Sequence, residues 1–191
     1  MHIERYPILG ILSLTPVKHG DARGFFSEVY RREIASAAGL PVDFVQENHV
    51  FSAQRGVLRG LHFQRPPRAQ GKLVRCIRGA ILDVAVDIRT GSPTFGRHVA
   101  VELSSANWTQ LWVPEGFAHG YAVLEAPCEV LYKVTDYWAP SSELGLAWDD
   151  PDLGIDWRLG SDEVILSDKD RVHPRLSGLA PVFQFSEKTS S

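Results

Sequence analysis

The amino-acid sequence predicts an all-β protein, a double-sheet jelly-roll barrel with a few short helices, and three observations carry that expectation. Glycine and proline, 16 and 12 among 191 residues, are spread along the whole chain and cut it into short segments, which suits many strands better than a helical bundle. The segments between them are rich in Val, Ile, Leu and aromatics. One of them, Ala80 to Ile88, sets Leu82, Val84, Val86 and Ile88 on one face and Asp83 and Asp87 on the other.

In chain order, Met1 to Pro7 lack the apolar core of a signal peptide, and no apolar run approaches 18 residues. A soluble, cytoplasmic protein with no membrane partner is therefore expected. Arg31 to Ala38 is the one clear helix, rich in Ala, Glu and Arg, with Gly39 placed for a left-handed cap and Pro41 preventing continuation. Strands are expected over Gly56 to Phe63, Lys72 to Arg78, Ala80 to Ile88, His98 to Leu103 and Cys128 to Thr135. Gly79 separates two of these runs, and Gly91-Ser92-Pro93 ends the next. In the last run Cys128, Val130, Tyr132 and Val134 share a face, where a tyrosine is ordinarily core with its hydroxyl satisfied. Pro140 to Leu159 reads as irregular structure packed on the barrel. Residues 1–185 form one domain without repeat or linker, and 186–191 a mobile tail.

A net charge of −3 argues against a nucleic-acid partner, so an anionic ligand needs a local Lys and Arg cluster. Cys76 and Cys128 lie in apolar runs without metal spacing and read as buried thiols in a reducing compartment.

Two regions are dense in chemistry. Arg55 to Gln64, followed by Gln70-Gly71-Lys72, brings together one histidine, two arginines and one lysine. Two glycines flank Arg59 within a strand, a pattern that suits a close approach to the backbone. His62 alone is as readily an incidental histidine on a cationic edge. The second region, Pro114 to Gly120, has a Pro-x-Gly-x-x-His spacing similar to the second half of the cupin signature. The first half of that signature normally offers His-x-His and a carboxylate to a metal. Here it reads His62-Phe63-Gln64, with no carboxylate before Asp83, and with Lys72 in the intervening stretch. A protonated lysine repels a divalent cation, so a cupin barrel without a metal is expected.

Further stretches extend the likeness: Asp21-Ala22-Arg23-Gly24-Phe25-Phe26-Ser27-Glu28, Gln46-Glu47-Asn48, Arg59 to Gln64, Gln70 to Val74, Asp83 to Arg89 with Ser92 to Gly96, Pro114 to Gly120, Tyr132-Lys133, and Ser167-Asp168-Lys169-Asp170. In this order, from about Arg5 to about Leu176, the sequence resembles the dTDP-4-dehydrorhamnose 3,5-epimerase family. The resemblance implies a dTDP-4-keto-6-deoxyhexose substrate and inversion at carbons 3 and 5 through an enolate, with no cofactor or metal. It implies a dTDP-L-rhamnose route to surface polysaccharide. It makes His62 the base, Asp170 its carboxylate partner, Lys72 the cation beside the carbon-4 oxygen, and Tyr132 the acid on the opposite face. Arg23, Arg59 and His119 would meet the diphosphate. Gln46, Asn48, Glu28 and Glu143 would hold the sugar or base, and Phe26 would wall the nucleotide. The family also implies a homodimer whose pocket borrows the segment around Arg23 to Glu28 from a neighbour.

Without the resemblance, Asp170 reads as part of a solvated turn, and Asp83 and Asp87 are as readily structural anchors as catalytic partners. One departure stands out: the family's tyrosine pair is here Tyr137-Trp138, the second aromatic being the one expected to stack on thymine. Rival readings are a carbon-3 monoepimerase, a non-catalytic sugar-binding cupin and a metal-dependent cupin oxygenase.

Overall fold

Two long antiparallel strands, Lys72–Asp87 and Phe117–Val134, run side by side through the middle of the protein and belong to both of its sheets. A computed structural model describes residues 1–40 and 43–186. Pro41, expected to stop the helix, and residues 187–191 of the expected tail lie outside the described residues. The elements in chain order are β1 (His2–Arg5), β2 (Leu12–Thr15), β3 (His19–Asp21), β4 (Gly24–Phe26), α1 (Arg32–Ala38), β5 (Gln46–Ser52), β6 (Leu58–Gln64), β7 (Lys72–Asp87), β8 (Arg89–Thr90), β9 (His98–Ser104), β10 (Gln110–Val113), β11 (Phe117–Val134), β12 (Glu143–Gly145) and β13 (Phe183–Gln184). Short 3-10 turns occupy Pro140–Ser142 and Leu176–Gly178.

The first half of β7 pairs with β10, and the second half of β11 pairs with β5, giving one sheet in the order β1-β2-β10-β7-β11-β5. The second half of β7 pairs with β9, and the first half of β11 pairs with β6, giving the other sheet, β9-β7-β11-β6-β12. This is the expected double-sheet jelly roll. The sequence reading placed a break at Gly79, whereas the strand runs through it. Gly79 has φ +71°, and a Cβ there would meet the Glu125 carbonyl oxygen at 2.3 Å, so the crossing from sheet to sheet needs a glycine.

Burial follows the two-faced character of β7. Val74, Cys76, Ile81 and Ala85 point between the sheets with Leu103, Leu111, Tyr121 and Val130. Leu82, Val84 and Val86 point outward and are covered by Leu146, Leu153 and Trp157. The outer face of the first sheet, Leu12, Leu14, Leu73 and Trp112, is covered by Ala35 and Ala38 of α1. The helix ends as expected, with Gly39 at φ +87° returning its N–H to the Ala35 and Ser36 carbonyls.

The sequence's alternation in Ala80 to Ile88 is correct, and its aspartate face turns inward. Asp83 and Asp87 are fully buried between the sheets: Asp83 meets His119, while Asp87 accepts hydrogen bonds from Arg89, Ser92 and Thr94. The strand Phe117 to Val123 went unread because its Gly-Ala-His composition resembles a turn. The three-residue β12 lies inside a stretch read as irregular. Both cysteines are buried and free, their sulfurs 3.9 Å apart. No helix among the described residues is long and apolar enough to cross a membrane.

Where β6 passes β11 the two backbones nearly touch: a Cβ on Gly60 would stand 2.5 Å from the Gly120 Cα, at a φ of +131°. Gly60→Ala is expected to lower unfolding free energy by about 2–4 kcal/mol in urea titration. A loss under about 0.5 kcal/mol would show that the backbone relaxes freely at this crossing.

Candidate active site

The space between the sheets opens at one end into a cavity of about 320 Å³. Its walls come from both sheets. His62, Phe63, Gln64 and Glu143 descend from β6 and β12, and Gln46, Asn48, Lys72 and Tyr132 rise from β5, β7 and β11. Gln70 and Trp138 close the rim. Ladder register explains the grouping, because directly paired residues share a face: Tyr132 pairs with Asn48, Val134 with Gln46, and Gln64 with Glu143.

His62 Nε2 lies 2.5 Å from Asp170 Oδ1, and Asp170 Oδ2 accepts from Ser167 Oγ at 2.7 Å. Burial raises the Asp170 pKa, but the hydrogen bonds from His62 and Ser167 outweigh it and hold the carboxyl below the usual carboxylate range. An ionised Asp170 fixes the proton on Nε2 and leaves the lone pair on Nδ1. Asp170 and Ser167 belong to a loop far along the chain from β6, so only the folded protein creates the pair.

Lys72 donates to the His62 carbonyl oxygen at 3.3 Å. Burial lowers its pKa to about 8 against the opposing pull of Asp83 and Glu143. Burial likewise raises the Tyr132 phenol, with nearby Arg59 opposing and Glu143 adding to the rise. Tyr132 therefore keeps its proton under conditions where Lys72 begins to lose one. Glu143 is raised by burial but lowered further by the Lys169 ammonium at 2.7 Å, by Trp138 and by His62. Trp138 takes its place at the rim from two contacts: its N–H donates to Gln46 Oε1 at 3.2 Å and its indole to Glu143 Oε2 at 3.4 Å.

Other expected site residues are not brought to the cavity within one chain. Arg23 is 90 % exposed on the β3–β4 hairpin and bound to Asp21, and Phe26 on the same hairpin is 70 % exposed. Glu28 pairs with Arg31 at 2.7 Å. Arg59 is exposed on β6, near enough to Tyr132 to act on its ionisation. His119 was expected at the diphosphate; its ring is buried against both Asp83 oxygens at 2.9 and 3.1 Å, and it pairs with His62 in the β6–β11 ladder.

Sequence reasoning missed four neighbours. Lys169 and Ser167 were quoted as motif residues but given no contact to make. Gln64 is more than a lost ligand: its amide donates to the Arg68 and Tyr137 carbonyls at 2.6 and 3.2 Å and accepts from the Ala139 N–H at 2.7 Å. His173 was not singled out at all. Its ring stands edge-on to His62 at 5.5 Å, over Gly145, where a Cβ would collide with it at 2.5 Å.

His62, Asp170 and His173 present donor atoms all within 4.8 Å of one another. The 2.5 Å contact between His62 and Asp170 nevertheless suits a shared proton. Two ligands of one tetrahedral zinc at about 2.0–2.1 Å would stand about 3.3 Å apart.

A jelly-roll barrel that gathers an imidazole–carboxylate pair, a buried ammonium and a phenol around one cavity is equipped as an isomerase working on carbon acids. Comparison with known proteins gives the family. The family model for dTDP-4-dehydrorhamnose 3,5-epimerase matches residues 5–178, and the chain belongs to that family. It is 53 % identical over 172 residues to the Pseudomonas aeruginosa dTDP-4-dehydrorhamnose 3,5-epimerase, covering 90 % of this chain and 93 % of that one. It is 49 % identical over 185 residues to the Sinorhizobium fredii enzyme of the same name, covering 97 % and 94 %. Among solved structures it superimposes with a TM-score of 0.90 and 43 % identity on dTDP-6-deoxy-D-glucose-3,5-epimerase from Legionella pneumophila in complex with dTDP-4-keto-L-rhamnose, covering 97 % and 100 %.

The opposed shifts of Lys72 and Tyr132 set the alkaline side of the pH profile. Because the Lys72 ammonium is lost through about pH 8 while the phenol is retained, kcat/KM is expected to fall above that pH. In Lys72→Arg the guanidinium does not titrate there, so the residual activity should lose this limb. A limb near pH 8 that persists in Lys72→Arg would assign it to another group.

Proposed function

We propose that this enzyme inverts carbons 3 and 5 of dTDP-4-dehydro-6-deoxy-D-glucose to give dTDP-4-dehydro-L-rhamnose. The observation that carries the reading is the placing of an imidazole on one sheet, held by a loop carboxylate, and a protonated phenol on the other, across a single cavity. Inversion needs this division, because the proton leaves from one face of the carbon and returns to the other.

The carbon-4 ketone acidifies the protons at carbons 3 and 5. His62 Nδ1 removes the proton, Asp170 stabilises the imidazolium that forms, and Tyr132 delivers a proton from the opposite side. Lys72 faces the carbon-4 oxygen, where its charge matters most as negative charge gathers there. Gln46, Asn48 and Glu143 hold the sugar or base, Trp138 offers a π-face to the thymine, and Arg59 meets the diphosphate. The chemistry needs neither metal nor redox cofactor. The enzyme works in the cytoplasm, a setting supported by its two unbridged cysteines.

Arg23, Phe26 and Glu28 act on the pocket of a second copy of the chain. Their exposure on a hairpin that pairs with neither main sheet supports this. Sedimentation at micromolar concentration should accordingly give twice the chain mass of 21.2 kDa. A monomer with full activity would dismiss the shared pocket.

Deuterated water separates the roles. His62→Asn is expected to abolish both deuterium uptake and inverted product. Tyr132→Phe should still exchange deuterium into the substrate with its original configuration, while inversion falls about a hundredfold, the usual range for losing a general acid. Normal inversion by Tyr132→Phe would make the phenol core packing, and exchange by His62→Asn would remove the base assignment. Deuterium at carbon 3 alone in the wild-type product would favour the monoepimerase reading.

A further inference from the structure

Trp108 has a backbone that a bulky residue rarely adopts. Its φ is +63°, in the loop between β9 and β10. The loop is held there by Asn107, whose side-chain oxygen accepts from the Ser104 and Thr109 N–H groups, and whose amide donates to the Glu102 carbonyl. Strain retained by surrounding bonds directs attention to what the side chain does.

Two cations lie over the indole. The Arg75 guanidinium, from β7 of the first sheet, stands 4.8 Å from the ring, and Lys18 Nζ stands 3.9 Å from it. Phe25 meets the same ring edge-on at 4.8 Å, and Lys18 also lies 5.2 Å from the Phe25 ring. Lys18 and Phe25 bracket the β3–β4 hairpin. That hairpin forms a two-stranded sheet of its own, joined to neither main sheet by a ladder. Its following segment is tied separately, by Gln110 Nε2 donating to the Val29 carbonyl. Arg23 and Phe26 are exposed on the hairpin, and Phe25, itself 59 % exposed, rests against the indole.

We propose that Trp108 is a positioning residue that anchors the β3–β4 hairpin, so that Arg23 and Phe26 are held out for the cavity of a second copy of the chain. The role rests on the shared-pocket reading above. An indole suits it, since its large π-system takes the cation of its own sheet, Lys18 and an edge-type pair with Phe25 together. The anchor fixes where the hairpin points without touching the reacting carbons. Its loss should therefore weaken nucleotide binding and leave the chemical step alone.

The test measures kcat, KM and the Kd for thymidine diphosphate in Trp108→Ala, Trp108→Phe, Phe25→Ala and Arg23→Ala, with thermal melting of each. Trp108→Ala and Phe25→Ala are expected to raise KM and Kd about tenfold with kcat within about twofold, the scale of losing an aromatic pair and its cation contacts. Trp108→Phe should restore most of the affinity. Phe25→Ala removes the same contact from an exposed position, which keeps the test decisive if Trp108→Ala folds poorly. Unchanged KM and Kd in Phe25→Ala and Trp108→Ala, with Arg23→Ala impaired, would overturn the anchor alone. Unchanged values in Arg23→Ala would overturn the shared-pocket reading beneath it. A fall of kcat in step with melting temperature that Trp108→Phe does not repair would reduce Trp108 to a structural residue of the loop.

Discussion

The crossing of β7 and β11 from one sheet to the other is the constraint on which the rest of the molecule depends. Both strands would otherwise lie in a single sheet with a single inner face. At Gly79 the chain turns under the Glu125 and Pro127 carbonyls, which stand 2.3 and 2.9 Å from where a Cβ would be. Each strand thereby gives one half to each sheet. Lys72 and Asp83 come from the same strand yet serve different sheets, and so do His119 and Tyr132. The interior between the sheets is closed with apolar side chains at one end and left polar at the other.

That arrangement assigns the chemistry by topology. Groups on β6 and β12 face groups on β5 and on the ends of β7 and β11 across a gap, so a ligand between them is addressed from two sides. Loops complete what strands begin: Asp170 reaches His62 from more than a hundred residues away, and Lys169 beside it neutralises Glu143. Burial raises the Asp87 and Asp170 carboxyls, but their hydrogen-bond donors, Arg89, Ser92 and Thr94 for the first and His62 and Ser167 for the second, hold both below the usual carboxylate range.

Much of this was legible in the sequence, for identifiable reasons. Period-two alternation exposed the strand from Ala80 to Ile88, and the Ala-rich run ending in Gly39 exposed the helix. The clustering of His62 with Lys72 was visible because both lie at strand positions of one short stretch. Position along the chain does not reveal faces or depth, however. Asp83 and Asp87 were left open between structural anchors and catalytic partners because alternation does not show what their face meets. The turn motif likewise fixes where His119 sits in the chain but not its partner, and its bond to Asp83 was not foreseen. His173 left no signal, since its place beside His62 depends on a glycine at position 145 in a strand three residues long.

The hydrogen bonds of Gln64 decide what else could stand at its position. In a metal-binding cupin the corresponding position holds a second histidine whose ring serves the ion. Here the amide is fully engaged by three backbone groups of the segment from Arg68 to Ala139, which includes the support of Trp138. An imidazole could not make those three bonds at once, having two nitrogens in fixed directions. Restoring histidine at this position would thus release the rim before it gained a ligand. Histidine at this position and the present rim are therefore alternatives: the imidazole would leave at least one of the three backbone groups unpaired, and Trp138 would lose the neighbours that hold it over the cavity.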